Sequence, residues 1–276
     1  MNNKIVLITG GNSGIGKATA IGLAKKGANI TIACRNKSRG EQAVKEIKAA
    51  SNNQKVSLII CDLADLESVR QCADTFKKQH HHLDVLVNNA GLIVDTYKET
   101  KQGFELQIGV NHIAHFYLTH LLMEHLLTAE KPRVVNVSSD IHYQGEIDFD
   151  RFRKDYGDYS GIPAYAQSKL ANVLFTKGLA KRYPKIITNA LHPGVVRTGF
   201  GNGDVKWYFK LGWKMIKPFL ITPEKGAKTS IFLASSDLTV SGKYFAKSQE
   251  KRPSRYADDT DLADKLWEYS EQAINH

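Results

Sequence analysis

Lys4-Ile5-Val6-Leu7-Ile8-Thr9-Gly10-Gly11-Asn12-Ser13-Gly14-Ile15-Gly16-Lys17 is the stretch whose reading decides the fold. The apolar run is short and stops at glycines, which marks a buried strand rather than a helix. From Ala18 to Lys26 the apolar period becomes helical, and Gly27 closes that segment as a helix C-terminus does. A strand, a glycine turn and a helix in that order open a βαβ unit. Glycines at such a junction let the backbone approach a pyrophosphate, while the helix N-terminus offers free amide donors and a partial positive charge. The spacing, Thr-Gly-x-x-x-Gly-x-Gly, differs from the commoner Gly-x-Gly-x-x-Gly, and a glycine turn alone is more often structural. Here it is the first βα turn of an alternating chain, which favours phosphate binding.

Outward from this turn the alternation continues. Strands are expected at 29–33, 55–60, 83–87, 133–137 and 186–191, with a shorter seventh at 243–246. Helices are expected at 40–50, 65–79 and 110–127, with another long one opened by Pro163 or Ala164. This is the pattern of an α/β fold: a single Rossmann-type doubly wound parallel sheet of about seven strands with helices on both faces. No repeat or linker divides the chain, so one domain over residues 1–276 is expected. Residues 199–220 interrupt the pattern with three glycines followed by Trp207, Tyr208, Phe209, Trp213, Met215 and Phe219. They read as a substrate lid or as a surface helix packed on the domain.

Composition excludes several classes. At 42% hydrophobic and 24% charged, the 276 residues are those of a soluble globule. No signal peptide is apparent, and no apolar run approaches the roughly 18 to 20 residues of a spanning helix. Cys34, Cys61 and Cys72 are odd in number and lack Cys-x-x-Cys spacing, which fits neither a disulfide framework nor a zinc site and suits a reducing cytoplasm. The net charge of +10 is spread along the chain rather than clustered with aromatics, so nucleic acid is not an expected partner. His80, His81 and His82 stand at a helix end and read as a solvated cap, and no metal site is expected.

The end of the second strand sets nucleotide preference, because an acid there would hold the ribose hydroxyls of NAD. Its residues are Cys34, Arg35, Asn36 and Lys37. Arg35 can present a planar fork to a 2′-phosphate, and Lys17 can add a second charge. A hydrogen bond to a charged group contributes about 1.5 to 3 kcal/mol, a tenfold to hundredfold preference for NADP(H). The alternative is that Arg35 only stacks on adenine.

Tyr165 and Lys169 are i and i+4 and share a helix face. A second Tyr-x-x-x-Lys, Tyr97 with Lys101, lies in a probable loop and reads as a pocket or surface pair. Ser138 and Ser139 end strand five, and only one of them can face a ligand because side chains alternate.

Taken in order, the Thr9 to Gly16 loop, Asp62, Asn88-Asn89-Ala90-Gly91, Asn111, Ser139, Tyr165 with Lys169, and Pro193-Gly194 resemble the short-chain dehydrogenase/reductases over nearly the whole chain. The resemblance implies catalytic roles for Asn111, Ser139, Tyr165 and Lys169. It implies cofactor contacts from Gly10, Asn12, Ser13, Gly14, Ile15, Gly16 and Lys17 in the loop, and from Arg35, Asn36, Asp62 and Leu63 on the adenosine side. Asn89, Ala90, Gly91, Tyr165, Lys169, Pro193, Gly194, Val196 and Thr198 complete that set. Tyr165 would exchange a proton with the substrate oxygen, with its pKa lowered toward 7 by Lys169 and the nicotinamide, while Ser139 holds that oxygen. Asn111 would kink its helix and hold a water in the proton relay. Residues 32–35, 192–198 and 241–245 resemble the retinol dehydrogenase-like branch, which implies bulky apolar carbonyls such as retinoids or lipid aldehydes. Relatives of this kind pair through the two long helices, so a homodimer or homotetramer is expected. An NADP(H) sensor without turnover, a carbon-carbon double-bond reductase like protochlorophyllide reductase, and a scaffold remain alternatives at this stage.

Overall fold

The structure is a computed structural model that describes residues 1–195 and 221–275. The expected substrate lid, and with it Val196 and Thr198, lies outside the described residues. Along the first half run β1 (Ile5–Thr9), α1 (Gly14–Lys25), β2 (Asn29–Cys34), α2 (Lys37–Ser51), β3 (Val56–Ile60), α3 (Leu66–Gln79) and β4 (Val85–Asn88). The second half holds β5 (Arg133–Val137), α7 (Gly161–Arg182), β6 (Ile187–His192), α8 (Pro223–Ser235), β7 (Lys243–Ala246), β8 (Gln249–Glu250) and α9 (Thr260–Ile274).

Among the described residues, eight strands form one sheet in the order β3-β2-β1-β4-β5-β6-β7-β8. Seven of them pair in parallel, as expected. The eighth is a two-residue antiparallel edge strand, too short to leave a period in the sequence. Period-two alternation distributes the core over both faces of the sheet. Val6, Ile8, Val85, Val87 and Val135 pack with α1 and α2, whereas Leu7, Leu86 and Val134 pack with Val69, Phe76, Phe116 and Leu118. Burial on both faces explains why these strands are continuous apolar runs.

Strand order reverses at β1, which has β2 on one side and β4 on the other. The carboxyl ends of these strands therefore diverge and leave the crevice in which doubly wound folds bind ligands. A buried polar seam fixes the helices behind it. Asn88 Nδ2 donates to Asn136 Oδ1 at 2.9 Å and Thr119 Oγ1 at 3.2 Å, and Asn136 Nδ2 donates to Thr176 Oγ1 at 2.9 Å. A register slip would strand these groups unpaired in the core.

The expected long helix over 110–127 is broken. It comprises α4 (Leu106–Ile108), a π-helical turn (Gly109–Ile113), α5 (Ala114–Leu121) and α6 (Met123–Thr128). A π turn requires one extra residue per closing bond and displaces the chain locally. The helices α8 and α9 went unread in the sequence, although both carry legible caps. Thr222 precedes Pro223 and accepts from Lys225 N–H at 3.4 Å, and Asp259 accepts from Leu262 N–H at 2.9 Å.

Candidate active site

Gly10 (φ +67°) and Gly14 (φ +51°) turn the chain at the carboxyl end of β1, in a region that favours glycine. A Cβ on Gly16 would lie 2.4 Å from Gly10 O and 2.5 Å from Asn89 Nδ2, so the turn closes only around a bare α-carbon. Thr9 binds this turn to the next one. Its Oγ1 accepts from the N–H groups of Asn89 (2.9 Å) and Ala90 (3.0 Å), while Asn89 Nδ2 donates to Thr9 O at 2.8 Å. The glycine loop and the Asn88 to Gly91 turn are thus one unit beside α1, with Asn12, Ser13 and Ile15 at its outer edge.

On the adenosine side the expected residues are spread out. Arg35 is exposed just beyond β2, and Asn36 is the N-cap of α2, accepting from Arg39 N–H at 2.9 Å. Lys17 Nζ lies 2.6 Å from Glu46 Oε2 on α2, a partner the sequence did not indicate. Asp62 Oδ1 accepts from Ala64 N–H at 3.0 Å, and the Leu63 side chain is buried in the core.

Around α7 the expected residues converge. Lys169 is buried, its Nζ donating to Val137 O at 3.1 Å and lying 5.5 Å from the centroid of the Tyr165 ring. A Cβ on Gly91 would stand 3.2 Å from that Nζ and 3.3 Å from Asn111 Oδ1, so the β4 turn, the π turn and α7 meet here. Asn111 occupies the π turn, which supplies the expected backbone irregularity. Its side chain is fully engaged: Oδ1 accepts from Leu92 N–H at 2.9 Å, and Nδ2 donates to Leu92 O at 3.0 Å and Ser168 Oγ at 2.9 Å. Ser138 Oγ turns into the core to donate to Lys169 O at 2.6 Å. Ser139 points the other way and is partly exposed, with Oγ accepting from Ile141 N–H at 3.3 Å and its own proton left to donate. Pro193 and Gly194 (φ +88°) follow directly on β6, next to the end of β5.

Burial lowers Lys169 from 10.5 to about 8, because it penalises the charged ammonium. Burial also pushes the Tyr165 phenol above its usual value. The expected lowering toward 7 draws on Lys169 together with a bound nicotinamide; among the protein's own groups alone, burial acts the other way. The site holds a protonated phenol beside a readily deprotonated amine.

Sequence reasoning passed over His115, four residues after Asn111. Its Nδ1–H donates to Asn111 O at 3.1 Å, and Nε2 lies 2.8 Å from Thr9 Oγ1, so one ring connects the π turn to the glycine loop. Burial lowers its pKa to about 4 and keeps it neutral. The i, i+4 spacing was legible, but the partner across the crevice was not.

Residues 4–208 match the family model described as short chain dehydrogenase. The chain is a short-chain dehydrogenase. Within the family it is retinol dehydrogenase-like. It is 42% identical over 271 residues to human retinol dehydrogenase 12, covering 97% of this chain and 85% of that one. It is 40% identical over 283 residues to human retinol dehydrogenase 13, covering 98% and 84%. An uncharacterised protein from Mycobacterium paratuberculosis superposes with a TM-score of 0.81 at 35% identity, covering 99% of this dehydrogenase and 94% of that chain. A short chain dehydrogenase from Shigella flexneri, solved with NADP, gives a TM-score of 0.73 at 25% identity, covering 90% and 98%. This dehydrogenase is accordingly an oxidoreductase, on a fold that binds a nicotinamide cofactor. None of its described helices is long and apolar enough to cross a membrane, and among the described residues no cluster of three or more His, Cys, Asp or Glu could hold a metal.

Proposed function

We propose that the protein interconverts a carbonyl and an alcohol with NADP(H), acting on a bulky apolar aldehyde or ketone such as a retinoid or lipid aldehyde. The observation that carries this reading is the convergence of Tyr165, buried Lys169, Asn111 and Gly91 at the crevice beside the glycine loop. Similarity to retinol dehydrogenases supports the substrate class, and the neighbour solved with NADP supports the cofactor.

The cradle fits a dinucleotide: a Cβ would fill it at Gly16, and amide groups stand at the start of α1. Gly10 to Lys17 would hold the pyrophosphate, with Asp62, Leu63, Asn89 and Ala90 along the adenosine. Gly91, Tyr165, Lys169, Pro193 and Gly194 would surround the nicotinamide end. When bound, the nicotinamide supplies or accepts the hydride. Arg35 and Lys17 would take the 2′-phosphate, Lys17 leaving or sharing Glu46 to do so.

In reduction, Ser139 donates a hydrogen bond to the substrate oxygen and Tyr165 gives it a proton as negative charge develops there. The upward shift of the phenol suits this direction, because the donor form persists at neutral pH. Lys169, still largely an ammonium at pH 7, stabilises the phenolate that results and would hold the ribose hydroxyls of a bound cofactor. With its side chain occupied, Asn111 has its backbone carbonyl, which accepts from His115 Nδ1–H and keeps a second lone pair, as the group that would hold a relay water. We further propose a single domain over the whole chain, a cytoplasmic location, and a homodimer or homotetramer formed through the helices that begin near Val110 and Pro163.

The test is NADPH consumption with a panel including all-trans-retinal and decanal. Expected are turnover by the native protein, loss of turnover in Tyr165→Phe, and a tenfold to hundredfold fall in NADPH-over-NADH preference, about 1.5 to 3 kcal/mol, in Arg35→Ala. Tight NADPH binding without consumption by any carbonyl would instead make the protein a cofactor sensor.

A further inference from the structure

The peptide that follows Ser139 is gripped at both ends by imidazole rings. On one side Ser139 O accepts from His142 Nδ1–H at 2.7 Å, and His142 Nε2 in turn accepts from Ser254 N–H at 3.1 Å. On the other side Asp140 N–H donates to His192 Nδ1 at 3.1 Å, which leaves the His192 proton on Nε2, 3.7 Å from Asp140 Oδ2. The rings therefore hold opposite tautomers, each dictated by a backbone group that can only donate or only accept. A peptide unit is planar, so fixing its carbonyl and its amide fixes the plane and with it the α-carbon from which the Ser139 side chain departs.

We propose that His142 and His192 are positioning residues for Ser139, two neutral imidazoles that hold the Ser139–Asp140 peptide so that the serine hydroxyl faces the substrate oxygen. The inference rests on reading Ser139 as the carbonyl-binding hydroxyl. It gives a purpose to a cluster the proton-transfer chemistry leaves unused. Asp140 Oδ1 accepts from Tyr244 OH at 2.9 Å and from Lys251 Nζ at 3.0 Å, which ties the far edge of the sheet to the end of β5. His192 also precedes Pro193-Gly194, so one ring aligns the serine with the turn that follows β6.

Protonation of His192 releases the Asp140 amide, whereas a protonated His142 keeps its Nδ1–H on Ser139 O and loses its support from Ser254. A proton on His192 Nδ1 would face the Asp140 N–H, and one on His142 Nε2 would face the Ser254 N–H. Around His142 stand Tyr143 and Tyr244, with ring centroids at 4.3 and 4.6 Å, and Asp140, Lys251 and His192 act on it from further off. His192 faces Asp140 and feels Lys251. Burial lowers both rings below the ordinary histidine value and outweighs the Asp140 carboxylate. Both are neutral at pH 7, and the hold of His192 on the Asp140 amide is lost as pH falls through its depressed value.

The full chain, labelled with 15N-histidine, tests this. Long-range 15N–1H spectra at pH 8, assigned with His142→Asn and His192→Asn, are expected to show an Nδ1–H tautomer for His142 and an Nε2–H tautomer for His192. With NADPH and the aldehyde of the panel turned over fastest, His192→Leu is expected to lower kcat about tenfold to a hundredfold while KM stays nearly constant. His192→Asn, whose Oδ1 can accept the Asp140 amide, should recover most of that loss and shift the acid limb of kcat, which a merely structural histidine would not do. The proposal is overturned by either ring in the opposite tautomer, by native kcat in His192→Leu, or by an unmoved acid limb in His192→Asn. Should His192→Leu not fold, the spectra and the acid limb of His192→Asn decide. Ser139→Ala separates the two readings: native kcat there overturns the role of Ser139 and the clamp's purpose together. Lost kcat there beside native kcat in His192→Leu overturns the clamp alone.

Discussion

The chain carries Tyr-x-x-x-Lys twice, and the two copies have opposite surroundings. Tyr97 and Lys101 lie between β4 and the π turn outside regular helix or strand, and each has an acidic partner. Tyr97 OH donates to Glu99 Oε1 at 2.9 Å, and Lys101 Nζ, on a side chain 72% exposed, lies 2.6 Å from Asp65 Oδ2. Tyr165 and Lys169 lie on α7, where the lysine is 3% exposed and donates to a main-chain carbonyl. The Asp65 carboxylate pushes Lys101 up, whereas burial brings Lys169 down to about 8. The same four-residue spacing thus gives a solvated ion-paired cation in one place and an amine poised near neutrality in the other. Burial beside the crevice, not the pattern, makes the second pair fit for proton transfer.

The comparison breaks most directly by removing each phenol. Tyr165→Phe is expected to lower kcat for carbonyl reduction by about 10²- to 10⁴-fold, the usual contribution of a general acid, while Tyr97→Phe keeps the native rate. Steady-state NADPH oxidation measures both, and equal losses would erase the distinction.

Titrating the lysines sharpens it. Lys169 carries its charge below about pH 8 and loses it above, so kcat/KM for NADPH, which reports free-enzyme groups, should break near 8 and fall at higher pH. Lys169→Arg keeps the charge through that range and should move the break upward, even if the variant is slower overall. A break that stays near 8 in Lys169→Arg would assign it to another group.

The smallest expected effect is at Lys101. Lys101→Met removes an exposed ion pair, and such pairs contribute little. Its thermal midpoint and NADPH kinetics should match the native protein, whereas a clear loss in either would show that this pair acts at the site.

Much of this was legible in advance because it depends on local rules. The Thr9 to Gly16 turn, the parallel strands and the helical placement of Tyr165 follow from apolar period and from the backbone freedom of glycine. The break at Asn111 was not legible from period, because Leu92 and Ser168, which hold its side chain, lie 19 and 57 positions away. Lys17 read as a free phosphate ligand, and nothing local announced that Glu46, 29 positions on, would lie against it.

By itself, then, the sequence determined the order of the seven parallel strands and of the helices through α3, the glycine cradle and the two candidate tyrosine-lysine pairs, since each is written in spacings of a few residues. Tertiary structure alone decided which pair is buried, where the pKa values of Tyr165 and Lys169 come to rest, and that His142 and His192 meet on one peptide. Those outcomes depend on desolvation and on partners brought from distant strands, and a spacing along the chain encodes neither.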